Sequence, residues 1–87
     1  MIKEILKRTL REYNELRSPY ATATLLTIDS DEFKVQFEGH FARSCCMDEY
    51  FLDLMYDLKE KGIETKFQGF EHVGVERFVA EYKILKR

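Results

Sequence analysis

The spacing of apolar residues predicts a helix at the start of the chain, followed by a β-hairpin. Apolar side chains recur at helical spacing over residues 2–17, and the Ser-Pro pair that follows ends the helix, because the residue before a proline disfavours helical backbone angles. Residues 21–29 are rich in apolar and β-branched side chains, which favour a strand. After a Ser-Asp turn, apolar and polar residues alternate over residues 33–38, so we expect a second strand that pairs with the first.

A second amphipathic helix and two further strands are predicted in the rest of the chain. Apolar residues form one stripe over residues 47–58, acidic residues occupy the first turn, and Gly62 is placed to end the helix. Residues 63–68 and 78–85 alternate apolar with polar side chains, as strands with one buried face do. The glycine-containing residues 69–74 are expected to form a loop between them.

This α-β-β-α-β-β order predicts the α+β class, with a four-stranded, mainly antiparallel sheet and two helices packed on one face. The chain divides into two α-β-β halves, which could be a structural repeat, although the two halves show no convincing sequence similarity. Folds of this kind carry unrelated functions, so function has to be argued from particular residues.

Apolar residues also occupy positions that should lie outside the core. In the first and last strands some of them fall on the face opposite the helices, and two more fall on the outer side of the second helix. These candidate interface residues are Leu26, Ile28, Leu52, Tyr56, Val79 and Leu85. Large exposed apolar patches are uncommon on monomers, so we expect self-association as a homodimer, or contact with a protein partner. The alternative is a set of scattered surface residues that needs no partner.

The segment before the second helix carries the densest group of reactive side chains, and it is the candidate ligand-binding site. Its members are His40, Arg43, Ser44, Cys45 and Cys46. A helix start presents unpaired backbone N–H groups and a partial positive charge, which could hold an anion or activate a thiolate.

A metal site and a structural role are the other interpretations of this segment. The ligands to test for a metal are His40, Cys45, Cys46 and His72, although adjacent cysteines lack the spacing that lets one loop wrap an ion. In the structural interpretation, one cysteine packs beneath the helix as a small apolar side chain and the other rests at its edge. We assign no catalytic residue, no metal and no cofactor.

Length and composition indicate a single domain, residues 1–87. Of the 87 residues, 45% are hydrophobic and 14% aromatic, which is enough for one core and too little for two. We expect no signal peptide and no membrane partner, because the first residues alternate apolar with charged and no apolar run approaches the roughly 20 residues that cross a bilayer. Two adjacent cysteines, rather than a spaced disulfide framework, fit a reducing cytoplasm.

The charge distribution disfavours nucleic acid as a partner. The net charge is −2, which gives no overall attraction for phosphate. Lys3, Lys7 and Arg11 form a basic ladder on the first helix, but acidic residues of the same helix dilute it, and most aromatic residues fall on predicted core positions.

These features together favour a small cytoplasmic, non-enzymatic binding or assembly module that acts as a homodimer. The alternative function is a small-ligand, metal or reactive-thiol site in residues 39–46.

Overall fold

The computed structural model describes residues 2–18, 20–43 and 48–86, with only the backbone of residues 42 and 43. Its elements are α1 (Ile2–Arg17), β1 (Thr22–Ile28), β2 (Glu32–Glu38), a short 3₁₀ helix (His40–Arg43), α2 (Asp48–Glu60), β3 (Glu64–Gly74) and β4 (Arg77–Lys86). The predicted order is confirmed, and the 3₁₀ helix is an addition to it. No helix among the described residues is long and apolar enough to span a bilayer.

The four strands form one antiparallel sheet in the order β1-β2-β4-β3. The two central strands, β2 and β4, come from different halves of the chain, and β1 and β3 are the edges. Helix α1 lies against β1, α2 lies against β3, and the helices contact each other. Both helices therefore cover the same face, as predicted.

One core fills the space between the helices and the sheet. Among its fully buried side chains are Leu6, Tyr13, Phe33, Val35, Phe37, Phe41, Phe51, Leu54, Leu58 and Tyr82. The ring of Phe51 lies 4.9 Å from that of Phe37, centroid to centroid, in an edge-to-face contact. The hydroxyl of Tyr82 donates a hydrogen bond to the carbonyl of Phe51 at 2.7 Å. Burial raises the pKa of Tyr82, so this hydroxyl stays a neutral donor that ties α2 to the sheet.

The structure corrects the predicted position of Ile28. The β1–β2 register is regular from Thr22 to Leu25 and then shifts, because Leu26 is an extra residue without a partner on β2. An extra residue reverses the faces of the residues after it. Ile28 therefore pairs with Phe33 and packs against the core, on the same face as Leu25 rather than on the opposite one.

The structure also corrects the predicted loop at residues 69–74, which belong to β3. The strand continues to Gly74 and turns through two residues, Val75 and Glu76, into β4. Its pairing with β4 is irregular at three places, which lie between Glu64 and Thr65, between Phe67 and Gly69, and between His72 and Gly74. Such irregularities interrupt the alternation that identifies a strand in a sequence.

Candidate functional site

Most of the predicted ligand segment lies outside the described residues. This holds for Ser44, Cys45 and Cys46 and for the side chain of Arg43. His40 is exposed, and its Nδ1 lies 3.5 Å from Oε2 of Glu76. Ligand binding at this segment therefore stays a prediction.

His72, the fourth predicted metal ligand, lies on β3. Its ring stacks on that of Phe78 with the centroids 4.7 Å apart. Within residues 2–18, 20–43 and 48–86, no three His, Cys, Asp or Glu side chains come together in an arrangement that could hold a metal ion.

The predicted interface residues lie on three different elements, β1, α2 and β4. Val79 is half-buried on the open sheet face, between Gln36 of β2 and Glu71 of β3. Leu85 is 59% exposed near the end of β4, and Leu26 is 45% exposed in the β1 bulge. On α2, Tyr56 is exposed and Leu52 is only partly so.

The open sheet face is mainly charged and threonine-rich. Lys34 lies 3.8 Å from Glu81, and Arg77 lies 3.5 Å from Glu38, each pair joining β2 to β4 across this face. Exposed pairs of this kind contribute little stability, about 0.2–1 kcal/mol each, but they keep a face hydrated. The face resembles a solvated surface more than an apolar interface.

Two aspartates one turn apart on α2 face the other helix. Arg17 of α1 lies 3.4 Å from Asp53 and 3.8 Å from Asp57. Burial raises the pKa of Asp57 in spite of the attraction of Arg17, which the two carboxylates share. This group joins the two helices, so we assign it a structural role.

A shallow concave surface lies between α1 and the free edge of β1. It consists of two adjoining hollows of about 610 and 390 Å³, which share Lys7 and Leu25. We call this surface the α1–β1 groove. From Ala23 to Ile28 along β1, the helix residues that line the groove run from Asn14 back to Lys3. The helix and the strand therefore run in opposite directions.

Apolar residues form the base of the groove and polar ones form its rim. Leu10, Ala23 and Leu25 lie at the base, where the helix packs on the strand. The basic ladder noted in the sequence forms the rim. Its residues Lys3, Lys7 and Arg11 are exposed and stand above β1, with Glu15 at the Ala23 end.

Asn14 holds the helix against the strand edge. Its Oδ1 accepts a hydrogen bond from the N–H of Ala23 at 2.7 Å, and its Nδ2 donates one to the carbonyl of Ala23 at 3.0 Å. The side-chain amide therefore takes the place that a peptide group of a neighbouring strand would occupy. Since alternate residues direct their backbone groups to the same edge, the N–H and carbonyl of Leu25 point outward as well.

The two sheet edges differ in how well they are protected against pairing. Natural edge strands are usually protected by charges and bulges. Strand β3 has both, with charges at Glu64, Lys66 and Glu71 and three breaks of register. Strand β1 has seven residues without a charge and one break of register. It is therefore the edge better suited to accept another strand.

Comparison with known protein families and with curated protein sequences finds no match for this chain. The candidate site therefore rests on the geometry of the chain itself.

Sequence reasoning identified the basic ladder but missed the groove and the role of Asn14. One signal was available: residues 22–28 carry no charge in a chain that is 34% charged. That contrast could have marked β1 as an unprotected edge, but only the strand order shows that β1 is an edge at all.

Proposed function

We propose that the protein is a non-enzymatic binding module that takes up an extended segment of another protein in the α1–β1 groove. The segment would add to the sheet as a fifth strand beside β1. In this mode of recognition the main chain supplies hydrogen bonds, and side-chain pockets supply selectivity.

The observation that carries the proposal is the uncharged, outward-facing edge of β1 beside a groove with an apolar base. The backbone groups of Leu25 point toward this side, where none of the four described strands lies. The groove continues past Leu25 to Ile28, a length that accommodates a short strand. Two or three backbone hydrogen bonds and the further burial of the partly exposed Leu25 would stabilise the complex.

Strand addition is tested with peptides methylated on their backbone nitrogens. Binders are first selected from a random twelve-residue peptide library displayed on phage, using the full chain as bait. Each binder is then made in two forms, with methyl groups on one or the other alternate set of backbone nitrogens. Because a strand donates to its neighbour from alternate residues only, one form should lose binding at least about tenfold and the other should retain it.

Two results would contradict the proposal. Equal binding by both methylated forms would mean that the segment does not bind as a strand. A selection that enriches no peptide above the support alone would mean that the groove takes no such segment.

Self-association, predicted from the sequence, is the second candidate, and the same uncharged edge favours it. Two β1 strands could pair antiparallel about a two-fold axis and join two sheets into one. The basic rims of the two copies would then face each other, and their like charges would oppose this pairing at low ionic strength.

A further inference from the structure

The rim of the α1–β1 groove carries three cations, Lys3, Lys7 and Arg11. None of them forms a close ion pair with another described residue, although Arg11 attracts the neighbouring Glu12. Lys61 differs from these three, because its Nζ lies 2.7 Å from Oε1 of Glu12. The rim therefore presents positive charge to whatever occupies the groove.

The spacing of these cations matches an extended chain. They are four residues apart on α1, which places successive cations about 6 Å apart along the helix axis. Alternate residues of a strand, whose side chains point to one face, are about 6.6 Å apart. Over the whole ladder the helix advances about 12 Å and four strand residues advance about 13 Å, so all three cations can face alternate side chains of one strand.

The lining of the groove favours a peptide over a nucleic acid. Single-stranded nucleic acid is normally held by aromatic side chains on which bases stack. The residues that line the two hollows include no aromatic ring, and their base is aliphatic. The neighbouring backbone edge of β1 offers both N–H donors and carbonyl acceptors. A peptide main chain can pair with both, whereas a phosphate backbone can only accept hydrogen bonds.

From these observations we infer that the partner segment carries carboxylates at three alternate positions, i, i+2 and i+4, opposite Lys3, Lys7 and Arg11. This inference rests on the proposed strand addition at β1. Where the segment leaves the strand edge beside Asn14 it has a neutral or basic residue, because Glu15 stands at that end of the rim. The backbone therefore binds β1, and the acidic side chains select the sequence.

The inference is tested on the peptides selected from the phage library. A groove variant combines Lys3→Gln, Lys7→Gln and Arg11→Gln. A matched control combines Arg8→Gln, Lys59→Gln and Lys86→Gln, which removes the same charge from exposed positions outside the groove. The most enriched peptide is labelled with fluorescein, and its Kd for the wild type and both variants is measured by fluorescence polarisation.

We expect the enriched sequences to carry Asp or Glu at i, i+2 and i+4. The Kd should rise about tenfold in the groove variant, less than about twofold in the control, and should rise with added salt for the wild type. A peptide of the same composition with its acidic residues in one block should bind more weakly than the alternating one.

The remaining outcomes separate this inference from the proposed function. The selection could instead enrich neutral peptides that bind the groove variant as tightly as the wild type and still require one alternate set of backbone N–H groups. That result would overturn the acidic pattern but not strand addition. Failure to enrich any peptide would overturn both. A twelve-nucleotide oligothymidylate is also tested. If it binds more tightly than any selected peptide and the groove variant loses this binding, the groove binds nucleic acid instead of a peptide.

Discussion

Asn14 has two structural roles, which cannot be distinguished from the sequence alone. It continues the regular backbone of α1, and its side-chain amide satisfies both backbone groups of Ala23 at the sheet edge. An asparagine inside a helix has a mediocre helix propensity, so its presence there has to be explained by a contact. The contact with Ala23 supplies that explanation and sets where the open part of the β1 edge begins.

We predict that Asn14→Ala lowers the free energy of unfolding by about 1–2 kcal/mol. Two hydrogen bonds to Ala23 are lost, and the better helix propensity of alanine offsets only part of that cost. Glu15→Ala is the control, since Glu15 is the exposed neighbour on the same helix, and it should change stability by less than about 0.5 kcal/mol. Urea unfolding followed by circular dichroism measures both values. Equal stability of the two variants would contradict the role given to Asn14.

Single residues also explain why part of the β1 prediction was wrong. Apolar and polar positions alternate in a regular strand, so Leu26 and Ile28 were assigned to one face. The extra residue at Leu26 moves Ile28 to the other face, and nothing in the local sequence marks this shift because both neighbours are apolar or β-branched.

At the scale of elements, the hydrophobic pattern determined most of what could be predicted. The apolar stripes of both helices and the alternation in β2 and β4 correspond to observed elements. The pattern failed in β3, where Gly69 and Gly74 resemble loop residues although they lie in a strand. The groove could not be predicted, because it depends on which strand is at the edge and on where α1 crosses it.

The two glycines of β3 should respond differently to substitution. Gly69 lies beside a break of register, and its φ is +139°. Residues other than glycine rarely adopt this backbone conformation. Gly69→Ala should therefore cost about 1–2 kcal/mol of stability, even though open space surrounds the added methyl group.

Gly74→Ala provides the matched comparison. Its added Cβ would lie 3.7 Å from the Arg77 side chain, an ordinary contact, and its φ is not in the positive region. Stability should stay within about 0.5 kcal/mol of the wild type in the same urea titration. If both variants were equally stable, the strain assigned to Gly69 would be wrong.

At the scale of the whole molecule, the sheet order sets the two α-β-β halves side by side, with β2 against β4. Each half places its helix over its own edge strand. The halves differ at those edges, since β1 is uncharged and β3 is charged and irregular. Self-association and partner binding would therefore compete for the same strand.

We predict that any dimer formed through β1 becomes more stable as salt is added. The Debye length falls from about 10 Å at 0.1 M to about 3 Å at 1 M, so the two basic rims repel each other less. Sedimentation equilibrium at these two ionic strengths measures the effect. Leu26→Lys, which puts a charge on the edge, should abolish the dimer, whereas Val79→Lys on the open sheet face should leave it intact. The reverse result would place the interface on the open face, as the sequence pattern predicts.

The difference in charge and regularity between the β1 and β3 edges also determines how far any assembly can grow. A sheet that accepts strands at both sides can be extended without limit into a fibre, whereas a sheet that accepts one at a single side is complete after one addition. With β3 irregular and charged, each copy of this protein would bind a single guest strand. Its complexes would then have a fixed one-to-one stoichiometry, and the protein would end the growth of a sheet rather than propagate it.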